Sequence, residues 1–291
     1  MMVPCSVPKA MAERYKQHMS KATHNTERLF LFAGDQKIEH LNADFKQVEN
    51  PEHLFVIASK ARIGVFATQL GLVARYGAKY PAIPYLIKMN AKTNFAGLEI
   101  DDPMSYDLTT VADIVRFQQQ TNLSILGVGM TIYLGSKHEG QMLASAARLV
   151  LEAHQHGLLV VLWVYPRGKA VKQERSEDTI AGATGVAHAL GADFVKVNPP
   201  QTDQGVQAAE LLQQAVNAAG NTGVLCSGGS LVAEKDFLKT LHAQLHVGAA
   251  GVAVGRNIYQ KSLPQAVAFC DAIASLIYDN TDLVRAEEKV L

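Results

Sequence analysis

Residues 191–197 read GADFVKV and follow an amphipathic, helix-like segment at 179–190. A glycine just past a helix supplies the left-handed residue that ends it and turns the chain into a strand. The run from 193 to 197 is mostly apolar without strict in/out alternation, the pattern of a strand covered on both faces. The same punctuation recurs at Gly157, Gly220 and Gly248, ahead of runs at 158–164, 223–227 and 250–254. Working outward toward the N-terminus, runs of the same kind lie at 29–33, 64–68, 85–89 and 124–129. Helix-like stretches at 139–156, 207–219, 232–245 and 264–278 alternate with them.

Alternation of this kind over about 250 residues matches a (β/α)8 TIM barrel. A doubly wound open sheet shares the alternation but usually places a Gly-rich fingerprint after its first strand. Here the first run leads into Gly34-Asp35-Gln36-Lys37, with no G-x-G-x-x-G. The barrel is the expected fold: residues 1–28 form an N-terminal extension, helical around 9–21, and residues 29–291 the barrel domain. The extension is expected to pack on the barrel or on a neighbouring subunit.

With 48% hydrophobic and 19% charged residues, the 291-residue chain has ample material for a core. Its 27 basic and 27 acidic side chains cancel, so no whole-chain charge drives binding to nucleic acid or acidic lipid. No window reaches the ~18 apolar residues of a membrane span. Lys9, Glu13, Arg14 and Lys16 stand where a signal peptide would be apolar. Cys5, Cys226 and Cys270 are odd in number and far apart, against a disulfide framework or a cysteine zinc site. A soluble, cytoplasmic protein is expected, with no nucleic-acid or membrane partner.

Barrel active sites lie at the C-terminal ends of the strands. Those ends carry Asp35, then Lys88 and Asn90, then Trp163, Tyr165 and Arg167, then Lys196, then Ser227-Gly228-Gly229, and finally Gly255-Arg256-Asn257. Burying Lys196 in an apolar strand lowers its pKa and makes it a nucleophilic amine suited to Schiff-base formation. The alternative is that it snorkels to water or pairs with Asp35 or Asp193. Lys88 is the rival for the nucleophile, a neighbouring cation, or an ordinary salt-bridge partner. Glycines after strands seven and eight let backbone N–H groups approach a phosphate, with Arg256 as a fixed positive fork. Tyr165 can transfer a proton or simply pack, and Trp163, two residues away on the same face, walls the pocket or fills the core. Glu39-His40 invites a metal reading that no ligand spacing supports, and Glu139 is accounted for by the helix dipole. No metal or cofactor is expected.

Six stretches together resemble the archaeal-type class I fructose-1,6-bisphosphate aldolases, within the Schiff-base barrel aldolases that include deoxyribose-phosphate aldolase. They are GDQKIEH (34–40), LIKMNAKT (86–93), VLWVYPRG (161–168), GADFVKV (191–197), LCSGGS (225–230) and GAAGVAVGRNIYQ (248–260). The resemblance implies Lys196 as the Schiff-base lysine, Tyr165 as the proton-transfer residue and Asp35 as the assistant in carbinolamine formation and dehydration. Trp163 would share the pocket, and Ser227, Gly228, Gly229, Gly255 and Arg256 would hold the phosphate. Deoxyribose-phosphate aldolases carry a second lysine two positions before the SGG serine, where this chain has Leu225. The family often reads Asp-His-Gly-x-Glu-His at strand one, where this chain has Asp35-Gln36-Lys37-Ile38-Glu39-His40. Gln36 cannot titrate, and Lys37 is expected to add a charge near the mouth.

The implied activity is metal-independent cleavage of a ketose phosphate by a homo-oligomer. Two alternatives stand beside it: a related Schiff-base lyase or transaldolase-type synthase on another phosphorylated ketose, and a non-catalytic phosphosugar-binding protein.

Overall fold

The structure is a computed structural model and describes residues 2–45, 50–95, 102–202 and 208–290. Eight parallel strands close into a barrel in which each neighbours the next in sequence and the last pairs with the first. They are β1 (Leu29–Ala33), β2 (Val65–Gln69), β3 (Tyr85–Lys88), β4 (Ile125–Leu134), β5 (Leu159–Pro166), β6 (Phe194–Val197), β7 (Gly223–Ser227) and β8 (Gly251–Val254). The expected (β/α)8 barrel is the observed fold.

The apolar runs conceal a strict alternation. Leu29, Leu31 and Ala33 pack inside the barrel with Val65, Ala67, Leu86, Val161, Trp163, Phe194 and Leu225. Phe30 and Phe32 face outward onto the helical layer. Parity then carries the chemistry inward: Lys88 follows Leu86 by two, and Lys196 follows Phe194 by two. The outer layer holds α2 (Glu52–Lys60), α3 (Leu70–Tyr76), α4 (Val111–Thr121), α5 (Glu139–Gln155), α6 (Glu177–Ala189), α7 (Gln213–Ala218), α8 (Glu234–His246) and α9 (Leu263–Tyr278), after α1 (Ala12–Thr23) in the N-terminal extension. Gly157, Gly191, Gly220 and Gly248 all have positive φ, as their reading as helix terminators requires.

The N-terminal extension packs on the barrel. Helix α1 lies across the N-terminal ends of the strands, where Tyr15, Met19 and Ala22 join the interior cluster. The Tyr15 hydroxyl donates to Asp193, whose other oxygen accepts from Val160 N–H at 2.7 Å and faces His154 Nε2 at 3.2 Å. His154 Nδ1 in turn meets Ser6 Oγ at 2.7 Å. Asp193 is therefore committed at the end opposite the site.

Several boundaries differ from expectation. Strand β4 runs to Leu134 rather than stopping at 129, and β5 runs to Pro166. A register shift at the start of β4 skips Leu126 opposite β3, which turns Thr131 and Tyr133 to the inside. After Lys88, Asn90–Ala91 leaves the barrel and pairs antiparallel with Tyr106–Asp107. The helix expected over 207–219 is a 3-10 turn, Ala209–Leu212, followed by α7, and Gln207 lies outside the described residues.

Candidate active site

A cavity of about 210 Å³ opens at the C-terminal ends of the strands. Asp35, Gln36, Glu39, Trp163, Tyr165, Lys196, Ser227, Gly229, Gly255 and Arg256 line it, together with Arg167, Gly228, Thr131, Tyr133, His40 and Asn198. All but one of the site residues expected from the sequence therefore meet in one place.

Lys196 is 5% exposed and has no ion-pair partner within 4 Å among the described residues. Neither snorkelling nor pairing with Asp193 describes it. Its ammonium stands 5.5 Å from the Trp163 ring centroid. Burial depresses its pKa, Asp35 and Glu39 oppose that shift, and Arg256 adds to it. Asp35 precedes the short turn Gln36–Glu39 without a side-chain capping bond, and its Oδ1 is buried without a hydrogen-bond partner. A carboxylate oxygen in that state is set to accept from a ligand.

Lys88 is the exception. It does not line the cavity but lies buried beside Trp163, with its ammonium 5.3 Å from the ring centroid. It donates to Asn90 O at 3.1 Å and Asn90 Oδ1 at 3.0 Å, and it has no salt-bridge partner among the described residues. Burial pushes it down to about 8, with Lys196 adding to the shift against Asp35 and Glu39.

Tyr165 and Tyr133 are partners in the β4–β5 register, with ring centroids 6.3 Å apart. Burial raises Tyr165 well above the usual tyrosine range, and the charges of Asp35 and Glu39 raise it further, so the phenol holds its proton. The Tyr133 hydroxyl donates to Glu39 Oε1 at 2.8 Å. Lys92 and Arg167 flank the Tyr133 ring at 6.0 Å and 5.8 Å. The sequence reading missed Tyr133 because it ended β4 too early, and it weighed Glu39 only as a metal ligand. The signal for Glu39 was its i+4 spacing from Asp35, which puts both acids on one side of a single helical turn.

The glycine turns adjoin across β7 and β8. Gly228 N–H is taken by Ala253 O at 2.9 Å, so Gly228 serves close approach rather than anion donation. The next amides, of Gly229 and Ser230, carry no backbone hydrogen bond among the described residues. Arg256 Nη2 donates to Gly229 O at 3.1 Å, while its Nε is buried without a hydrogen-bond partner, 3.8 Å from Asp44 Oδ2. Asn257, 1% exposed, locks the turn: its Nδ2 donates to Gly228 O and Ser230 O, each at 3.0 Å, and its Oδ1 accepts from Val232 N–H at 3.1 Å. Ser227 Oγ donates to Asn198 Oδ1 at 2.8 Å. Lys37 corrects an expectation. Its ammonium is held by Asn42 at 2.9 Å and over the Phe45 ring at 4.7 Å, and it does not line the cavity.

An amine desolvated beside an unpartnered carboxylate, a protonated phenol and an amide-lined turn, all at the C-terminal mouth of a TIM barrel, define a Schiff-base barrel aldolase. The DeoC/LacD family aldolase model matches residues 29–261, and the chain belongs to that family. It is 49% identical over 291 residues to a fructose-bisphosphate aldolase/6-deoxy-5-ketofructose 1-phosphate synthase of Methanocaldococcus jannaschii, covering 98% of this chain and 92% of the relative. A solved fructose-bisphosphate aldolase from Slackia heliotrinireducens superposes with a TM-score of 0.95 at 48% identity, over 100% of this chain and 93% of the other. An archaeal fructose-1,6-bisphosphate aldolase, solved with its catalytic lysine covalently bound to the carbinolamine intermediate, superposes at 0.77 with 30% identity, over 91% and 99% of the two chains.

Proposed function

We propose that this chain is a class I, metal-independent aldolase that reversibly cleaves fructose 1,6-bisphosphate to dihydroxyacetone phosphate and glyceraldehyde 3-phosphate. The observation that carries the reading is Lys196, an amine 5% exposed with no ion-pair partner among the described residues, in one cavity with the unpartnered Asp35 Oδ1. The names of the relatives support the substrate.

The neutral amine of Lys196 adds to the C2 carbonyl of the open-chain ketose and forms a carbinolamine. Asp35 and Tyr165 handle the protons as water leaves and a protonated imine forms. Removal of the C4 hydroxyl proton breaks C3–C4, and the electron pair moves into the imine to give an enamine and a free aldehyde. Tyr165 returns a proton to C3, and water releases the ketone phosphate and regenerates the amine. The turns at Gly229 and Gly255–Arg256 hold the phosphate, whose remote binding energy aligns C2 with Lys196. Trp163 walls the pocket, and Arg167 stands at its rim.

Borohydride reduction with dihydroxyacetone phosphate, followed by peptide mass spectrometry, tests this. A stable adduct on the Lys196 peptide is expected. An adduct on Lys88 would overturn the site, and no adduct from folded protein would overturn the aldolase reading in favour of a phosphosugar-binding protein.

A second reading, a transaldolase-type synthase on another phosphorylated ketose, keeps the same lysine. The double naming of the Methanocaldococcus relative favours keeping it, as does Gln36 at strand one. Relative cleavage and transfer rates separate the two. A cytoplasmic homo-oligomer completes the proposal, and sedimentation of the purified chain checks the assembly.

A further inference from the structure

The side chain of Gln36 is fixed at one end and open at the other. Its Oε1 accepts from the Tyr259 hydroxyl at 2.7 Å. Tyr259 is fully buried and stacked on Phe45, with ring centroids 4.7 Å apart. The same oxygen presses on Gly255, where a Cβ would fall 2.4 Å from it and 2.7 Å from Ala33 O. A phenol hydroxyl bonding to the amide oxygen leaves the –NH2 group for other partners. That nitrogen has no hydrogen-bond partner among the described residues, and Gln36 lines the cavity beside Gly229, Gly255 and Arg256. The buried Arg256 Nε, also without a hydrogen-bond partner, belongs to the same corner.

We propose that Gln36 is a specificity-determining residue for phosphorylated substrates. Its amide N–H donates to a phosphoryl oxygen seated at the Gly229 and Gly255–Arg256 turns, and Tyr259 is the positioning residue that aims it. The inference rests on the Schiff-base reading above and adds a donor from strand one to a cradle otherwise built from strands seven and eight. An amide serves because it donates without titrating, so its contribution is the same across the working pH range. A hydrogen bond from a neutral donor to a charged acceptor corresponds to on the order of ten- to hundredfold in half-saturating concentration.

The test compares borohydride trapping of dihydroxyacetone phosphate with that of unphosphorylated dihydroxyacetone. It uses the full-length parent, Gln36→Glu, Gln36→Met and Tyr259→Phe, and reads the ratio of half-saturating concentrations. Gln36→Glu keeps an acceptor for Tyr259 but turns an oxygen toward the phosphate. Its preference for the phosphorylated ketone is expected to fall at least about tenfold, and in cleavage KM rises more than kcat falls. Gln36→Met removes the donor at similar size and is expected to fall in the same direction. Tyr259→Phe keeps the donor but frees its aim and is expected to lose less than either. A ratio within twofold of the parent in both Gln36 variants overturns the proposal, as does an equal loss for both ketones, which marks a general structural role. If the parent traps neither ketone, the Schiff-base reading falls first and takes this inference with it. If the parent traps both and only the ratio fails to move, the assignment of Gln36 falls alone.

Discussion

Lys88 and Lys196 hold their ammonium groups against one indole, 5.3 Å and 5.5 Å from the Trp163 ring centroid, and both side chains are 5% exposed. The ring face attracts a cation, but desolvation outweighs it, and burial lowers both pKa values. The pair therefore ties stability to pH. Lys88 falls to about 8 in the fold from an ordinary 10.5. Below 8 both folded and unfolded chains bind the proton, and the fold bears the full cost of burying it. Between 8 and 10.5 the unfolded chain binds a proton that the folded chain has released, so this group's contribution to stability rises with pH. Replacing Lys88 with Met removes that dependence. Denaturant unfolding at a series of pH values is expected to show Lys88→Met gaining on the parent at pH 7 and giving back roughly 3 kcal/mol of that difference by pH 10.5. A pH-independent difference would refute the assignment.

Tyr165, half-buried, keeps its proton because desolvation of its phenol and two nearby acids raise its pKa. On the proposed mechanism its removal leaves the dehydration protons to Asp35 alone, so imine formation continues, and it slows the later proton transfer at C3. Tyr165→Phe should lower kcat about 10²- to 10⁴-fold. Borohydride labelling of Lys196 by dihydroxyacetone phosphate should persist in that variant. Loss of labelling in step with kcat would move Tyr165 to an earlier step.

Gly129 makes room for Trp163. A Cβ at 129 would lie 2.4 Å from Trp163 Cζ3 and 2.4 Å from Val161 O. Gly129→Ala must shift the ring, at a cost of about 1–3 kcal/mol. The chain has one tryptophan, so its emission spectrum reports the displacement directly. An unchanged spectrum with parent-like stability would show that the ring is not confined.

At the opposite end, Tyr15 is 2% exposed and donates to Asp193. Tyr15→Phe strips a buried carboxylate oxygen of its partner and should cost about 1–3 kcal/mol. Thermal unfolding should show a Tm lower by several degrees. The kcat at 25 °C should stay at the parent value, since the change lies across the barrel from the site.

Much of this was legible in residue types. The glycine terminators and short apolar runs define a parallel barrel, and a lysine two residues after Phe194 must share that residue's side of the strand. What escaped notice depended on register and on contact. The shift opposite Leu126 decides that Thr131 and Tyr133 face inward, and no property of Leu126 announces it. Two-residue strands such as Asn90–Ala91 are too short to show a period. Lys37 looked like a charge at the mouth until Asn42 and Phe45 were seen to hold it elsewhere. Lys88 looked like a lining residue because strand parity fixes the side a residue faces, not the depth at which its end group stops.

The side chains that fill the barrel interior, with α1 across its N-terminal end, make the site a cul-de-sac. On the proposed chemistry, both cleavage products share one doorway, and only one of them is tethered when the carbon–carbon bond breaks. The aldehyde therefore departs over the top of an enamine still bonded to Lys196. In the synthetic direction it must arrive second, onto an enamine already seated. The closed interior and the bond to Lys196 together set the order of traffic at the single mouth.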